Sequence, residues 1–154
     1  MTGNITTEIQ GVDKLIQRLS RVASNQYMTG TMQVATDVLR TEIAVYPPAT
    51  DANQPMARRW YERGFGPRWM LRNGQIRGRR TSETLGRRWT TRVTNGGMTG
   101  IVGNNASYAP FVQSARQQSR VMARIGWKTD EEAARKQAPK IVQLFKDAIE
   151  RALG

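Results

Sequence analysis

Thr84-Leu-Gly-Arg-Arg-Trp-Thr-Thr-Arg-Val-Thr-Asn-Gly-Gly-Met-Thr-Gly-Ile-Val-Gly103 is the stretch on which the fold turns. From residue 84 to 94, Leu85, Trp89 and Val93 fall on one parity with Arg87 and Thr91 between them. Arg88, Thr90, Arg92 and Thr94 fall on the other. A period of two marks a strand with one buried face. Asn95-Gly96-Gly97 then reads as a tight turn, because favoured hairpin turns need positive φ at both central positions. Residues 98–103 form the return strand. The reading places Leu85, Trp89 and Val93 toward a core, Arg88 and Arg92 outside it, and Arg87 near a sheet edge or an acidic partner.

Working outward, residues 4–10 alternate as a short strand with Ile5, Thr7 and Ile9 on one face, and Gly11 breaks it. Val12, Leu15, Ile16, Leu19 and Val22 recur at helical steps. Ser24 or Asn25 suits the cap of a second helix, which carries Met28, Met32, Ala35, Leu39 and Ile43 on one face. Pro47-Pro48 is expected to end it. Beyond the hairpin, Tyr108-Ala-Pro-Phe-Val112 is a short apolar segment, and Gln113 to Arg120 is polar. Thr129-Asp-Glu-Glu132 is a capping box for a last helix. Ala134, Ala138, Ile141, Phe145, Ala148 and Ala152 keep one stripe past Pro139, which predicts one helix with a kink there. Phe111, Ile141 and Phe145 join the expected core. The fold class is α+β: a small, mostly antiparallel sheet with amphipathic helices on one face, and a long basic loop between helix 2 and the central hairpin.

The 154 residues suit a single domain spanning 1–154. Neither Cys nor His occurs, which excludes disulfides, thiolate zinc sites, Cys nucleophiles and any imidazole-dependent triad or metal centre. No apolar run reaches a membrane span and no signal sequence opens the chain, so the expectation is a soluble protein, intracellular at synthesis, in a reducing compartment. There are 24 basic residues against 12 acidic ones, for a formal charge of +12. Residues 1–50 are neutral, whereas residues 51–100 carry eleven Arg and three acids. Such an excess favours polyanions or acidic protein surfaces as partners.

The pattern dissolves between about residues 47 and 80. Pro48, Pro55, Gly64, Pro67 and the Asn73-Gly74 and Arg77-Gly78 pairs are turn signals. A loop of about thirty residues inside a compact domain is uncommon and usually functional or disordered. Residues 49–80 are therefore read as an extended basic and aromatic arm, whose aromatic residues argue against plain disorder. Arg58, Arg59, Trp60, Tyr61, Arg63, Phe65, Arg68 and Trp69 are the candidate oligomer or partner interface, since Trp, Tyr and Arg anchor interfaces. Arg79, Arg80, Arg88 and Arg92 are candidates for contact with DNA in a lumen or with a neighbouring subunit. The same interleaving of Arg and rings suits direct contact with nucleic acid, and a solvated basic loop is the bland alternative.

Catalysis finds little support. Asp51, Glu62 and Glu83 sit among arginines, where ion pairing explains them, and Asp130-Glu131-Glu132 suits a helix N-terminus. Two-metal nuclease chemistry needs convergent carboxylates. Gly103-Asn104-Asn105 lacks the Lys and Ser/Thr of a phosphate-binding loop and reads as a turn. Trp127 reads as a packing residue. No catalytic residue, cofactor, metal or small-molecule substrate is expected.

Ile9-Gln-Gly-Val-Asp-Lys-Leu15, Thr84-Leu-Gly-Arg-Arg-Trp89, Gly100-Ile-Val-Gly-Asn-Asn105 and Tyr108-Ala-Pro-Phe-Val-Gln113 resemble the tail-component family of long-tailed phages, often called the gene-product-ten family. Ser82-Glu83 stands where that family usually has Thr-Gly, and Gln113-Ser114 where it tends to carry an acid and a glycine. The resemblance implies a non-enzymatic virion protein of the neck or tail, assembled in the host cytoplasm, in a tail-completion or tail-terminator role. Its partners would be further copies in a homo-oligomeric ring, neighbouring neck and tail-tube proteins, and transiently the genomic DNA passing through the lumen, with no membrane. The runner-up is a cellular nucleic-acid-binding protein using the Arg- and aromatic-rich loop, and a weaker third is a metal-dependent nuclease.

Overall fold

The computed structural model describes residues 12–22, 24–55, 57–63, 65–80 and 83–153. The strand expected at 4–10 lies outside the described residues. Helix α1 spans Val12–Val22 and α2 spans Asn25–Ile43. On α2, Ala35 and Ile43 are buried while Met28, Met32 and Leu39 are half-buried, as the helical stripe predicts. The helix stops four residues before Pro47. Its end is fixed by Gln113, whose Nε2 donates to the Ile43 carbonyl at 2.6 Å, and by the Ala44 N–H returning to Arg40 O. Pro47 has no N–H to offer the Ile43 carbonyl four residues back and its ring would clash there, so the helix ends where the proline pair predicts and Gln113 takes the place of the missing donor.

The central hairpin exists with a shorter first strand. Residues 84–87 form one helical turn, α3 (Thr84–Arg87), entered through Glu83 in the left-handed region at φ 53°. The Leu85 carbonyl accepts from Asn104 Nδ2 at 2.8 Å, and the Gly86 N–H donates to Tyr46 Oη at 3.1 Å. Those bonds hold the turn against the strand pattern. Leu85 is still buried, but Arg87 is exposed on α3 and pairs with no acid among the described residues.

Strands β4 (Trp89–Thr94) and β5 (Thr99–Asn104) pair antiparallel from Trp89↔Asn104 to Thr94↔Thr99. Asn95, Gly96 and Gly97 take φ of 53°, 60° and 90° in the connecting turn, the positive values their sequence offers. The ribbon lies on α2 with almost no gap. A Cβ on Gly100 would stand 2.4 Å from Thr36 Cγ2, and one on Gly97 2.6 Å from the Thr29 nitrogen.

The expected loop over 49–80 is replaced by a three-stranded antiparallel meander: β1 (Arg59–Glu62), β2 (Gly66–Met70) and β3 (Ile76–Gly78). Of the turn signals, Asn73-Gly74 falls between β2 and β3, whereas Pro67 lies inside β2, Arg77-Gly78 inside β3, and Pro48 and Pro55 precede β1; segments of three to five residues are too short to display a period. Trp60, only 2% exposed, anchors the meander. Buried Asn53 closes the outer side of β1, accepting the Tyr61 N–H at 2.6 Å and donating to Pro48 O at 3.0 Å.

The main buried cluster comprises Leu85, Ala106, Ala109, Val112, Ile125 and Trp127, with Tyr46, Tyr61, Val121 and Met122 packed against it. Helix α4 (Ala109–Gln113) turns Ala109, Val112 and Gln113 inward and so leaves Phe111 58% exposed, against the expectation of a core phenylalanine. Helix α5 (Arg120–Ile125) starts at the end of the stretch read as polar. Ser119 Oγ caps it by accepting the Met122 N–H, and Gly126 ends it at φ 99°.

Helix α6 (Asp130–Leu153) begins in the expected capping box: Thr129 N–H donates to Glu132 Oε2 at 2.8 Å and Glu132 N–H to Thr129 Oγ1 at 3.2 Å. It continues as one helix through Pro139. Its inward stripe is offset at the start, with Ala133 buried and Ala134 and Ala138 exposed, before Ile141, Phe145, Ala148 and Ala152 turn inward. The cause is Glu42, which draws Lys128, Lys136 and Gln137 to α2 and so fixes the rotation of this first part. The class is α+β, with helices α1 and α2 packed on α6, the hairpin on α2, and α5 against β1.

Candidate functional site

The meander divides its residues between inside and outside. Tyr61 turns inward into a cluster of rings, with centroids 5.4 Å from Tyr46 and 5.5 Å from Trp127, while Tyr46 and Trp127 lie 4.9 Å apart. Trp60 and Tyr61 are therefore not exposed interface anchors. They belong to the fold, and so the 49–80 segment is not a detachable arm. Trp127 is the packing residue that the sequence suggests.

Arg63 and Arg68 are held by local partners. The Arg63 guanidinium lies 4.0 Å from the centre of the Tyr46 ring, with its Nε 3.1 Å from Glu83 Oε1. Arg68 sits 5.1 Å from the Phe65 ring centre, and its Nε is 3.2 Å from Glu62 Oε2, a charge pair without hydrogen-bond alignment. Both explain the acids Glu62 and Glu83 as ion-pair partners. Phe65 is exposed and Trp69 half-buried.

The other nine arginines between Arg58 and Arg92 have no such tie among the described residues. Arg58, Arg59, Arg72, Arg77, Arg79, Arg80, Arg87, Arg88 and Arg92 are exposed and form no ion pair among the described residues. Arg92 stands opposite Ile101 on the hairpin face away from α2, as alternation predicts, and Arg88 is likewise exposed. The candidates fall into two groups on two separate sheets: Arg58, Arg59, Arg63 and Arg68 on the meander, with Arg79 and Arg80 directly after it, and Arg88 and Arg92 at the hairpin. Exposed apolar side chains accompany each group: Phe65, Leu71 and Ile76 on the meander, Met98 and Ile101 on the hairpin.

Beneath the meander is a cavity of about 220 Å³ lined by Tyr46, Tyr61, Tyr108, Leu85, Met122 and Trp127, with Glu83 at its wall. The Tyr46 phenol donates to Glu83 O at 3.3 Å, and burial pushes its pKa above 10, so it stays neutral at physiological pH. Among the described residues no three Asp or Glu side chains gather to hold a metal ion, and no helix is long and apolar enough to cross a membrane.

Sequence reasoning missed two polar devices. Glu42 Oε1 accepts from Lys128 Nζ and, at 2.9 Å, from Lys136 Nζ, while Oε2 accepts from Gln137 Nε2 at 2.8 Å. These bonds hold the Glu42 carboxyl down at about 2. Asn53 is the other. Neither leaves a local signal, because the partners of Glu42 lie 86 to 95 residues away and Asn53 looks like any turn residue. Comparison with family models, with curated proteins and with solved structures returns no match.

Proposed function

We propose that this chain is a structural virion protein of a tailed phage, a subunit of a ring at the head–tail junction in the tail-completion or tail-terminator role, with genomic DNA passing through the lumen. One observation carries the reading. Nine arginines between Arg58 and Arg92 are exposed without an acidic partner among the described residues, while Trp60 and Tyr61 beside them serve the fold. A surface so charged calls for counter-charge from outside the chain, either phosphate or acids on neighbouring subunits. DNA that must slide is served by diffuse phosphate attraction, which carries no base information.

The assignment to a phage neck rests on the resemblance of the four short motifs. The cellular nucleic-acid-binding alternative relies on rings for base stacking, and the inward placement of Trp60 and Tyr61 removes two of them. The test is sedimentation and negative-stain microscopy of the full chain. Closed particles of uniform size with a central opening, formed without DNA, are expected. A monomer that binds DNA tightly and loses it steeply with salt would overturn the ring in favour of the alternative.

A further inference from the structure

The two sheets treat their edges differently. On the meander, Asn53 occupies the outer side of β1 through the Tyr61 N–H, and β3 is three residues long, carries Arg77 and runs into Arg79 and Arg80. Short strands and edge charges are how soluble proteins keep edges from pairing. Strand β5 has no such guard. Its six residues, Thr99–Asn104, include no charge and no proline, and the register with β4 runs without a bulge. Thr99, Gly100 and Ile101 are exposed, as is Met98 beside them.

The hydrogen-bond alternation says which groups wait there. Asn105 N–H donates to Arg88 O at 3.0 Å, so residues 88 and 105 form a bonded pair. In an antiparallel ladder every second pair is bonded, which turns the backbone groups of Gly100 and Val102 away from β4, and those of Thr91 and Val93 away from β5. No strand lies beyond either edge among the described residues.

We infer that successive copies of this chain join edge to edge, the outer edge of β5 in one copy pairing with the outer edge of β4 in the next. The inference rests on the ring reading and supplies its contact. Pairing β4 with β4 would bring two sets of Arg88 and Arg92 together, and like charges across strands are destabilising. Pairing β5 with β5 would close a dimer and leave both β4 edges bare. Only β4 on β5 satisfies every edge, sets the arginine-bearing strand against a neutral one, and propagates head to tail into a closed ring. Rotation about a ring axis keeps β4 of the next copy antiparallel to β5, the pairing that the hairpin already uses.

Hydrogen exchange on the full chain tests this, comparing dilute monomer with assembled particles. Both 89–94 and 99–104 should gain protection on assembly. Ile101→Lys, at an exposed position opposite Arg92, should raise the concentration needed for assembly about tenfold or more while the circular dichroism spectrum is kept. Thr99→Lys is the second variant should the first fail to fold. Particles in which neither strand gains protection overturn the pairing and leave the ring reading intact. Twofold dimers protected only at 99–104 overturn its head-to-tail sense. A chain that stays monomeric overturns the ring reading itself.

Discussion

Glu42→Gln removes the charge that ties α2 to α6 while keeping the shape of the side chain. The carboxylate is 10% exposed and accepts from Lys128, Lys136 and Gln137 together. Those donors pull its pKa from 4.5 to about 2. At about 1.36 kcal/mol per pKa unit, that fall sets a ceiling of roughly 3 kcal/mol on the pairing. Lys128 and Lys136 are 37% and 60% exposed, so solvent screens much of this. About 1–2 kcal/mol is expected at pH 7. For a chain of this size that loss lowers Tm by roughly 3–6 °C. A group whose pKa is depressed by folding stabilises above its unfolded value and loses that contribution as pH falls through the folded one. The gap between wild type and Glu42→Gln should therefore be constant above pH 5, narrow below 4.5, and close near pH 2. Urea midpoints of both proteins across pH 7 to 2 measure it. A gap under about 0.5 kcal/mol at pH 7, the size of an ordinary surface change, would refute the staple, as would a gap that does not narrow in acid.

Three further outcomes follow from burial and close approach. Trp60→Ala should cost about 3–5 kcal/mol by chemical denaturation, since the ring is enclosed, whereas a floppy arm would lose almost nothing. Gly100→Ala should cost about 1–3 kcal/mol, because the new methyl meets Thr36 Cγ2, and Thr36→Ser in the same chain should recover part of it; additive losses in a double-mutant cycle would show that the two do not touch. Phe111→Ser should stay within about 0.5 kcal/mol of wild type in the same assay, the side chain being mostly exposed.

What could be read from the sequence was local. The capping box at Thr129 and Glu132, the turn at Asn95-Gly96-Gly97 and the α2 stripe each depend on residues within a few positions of one another, and all three are present. What escaped depends on distant partners. The strand pattern over 84–88 loses to bonds from Tyr46 and Asn104, and Glu42 finds its partners near the other end of the chain. A difference of one position on α6, where each residue turns about 100°, is enough to exchange Ala134 for Ala133 in the core. In the candidate site the residue types were visible but not their sides. Trp60 and Phe65 look alike in sequence, yet one is enclosed and the other faces solvent.

That division changes how the arginines can act. On a loose arm each guanidinium would have to be ordered at the moment of contact, at about 0.5–1.5 kcal/mol per immobilised side chain, together with the backbone that bears it. Here Trp60 and the Asn53 bonds to Tyr61 and Pro48 fix the backbone of the meander, and the turn at 95–97 with Gly100 fixes the hairpin on α2. Arg59, Arg77 and Arg92 are thus carried on strands set in place before any partner arrives, with only their own side chains left to order. Deleting 56–76 would remove Trp60 and Tyr61 along with the arginines, so a loss of assembly in that deletion would not separate lost packing from lost charge. Replacing the exposed arginines one sheet at a time, with Trp60 and Tyr61 untouched, separates the two effects.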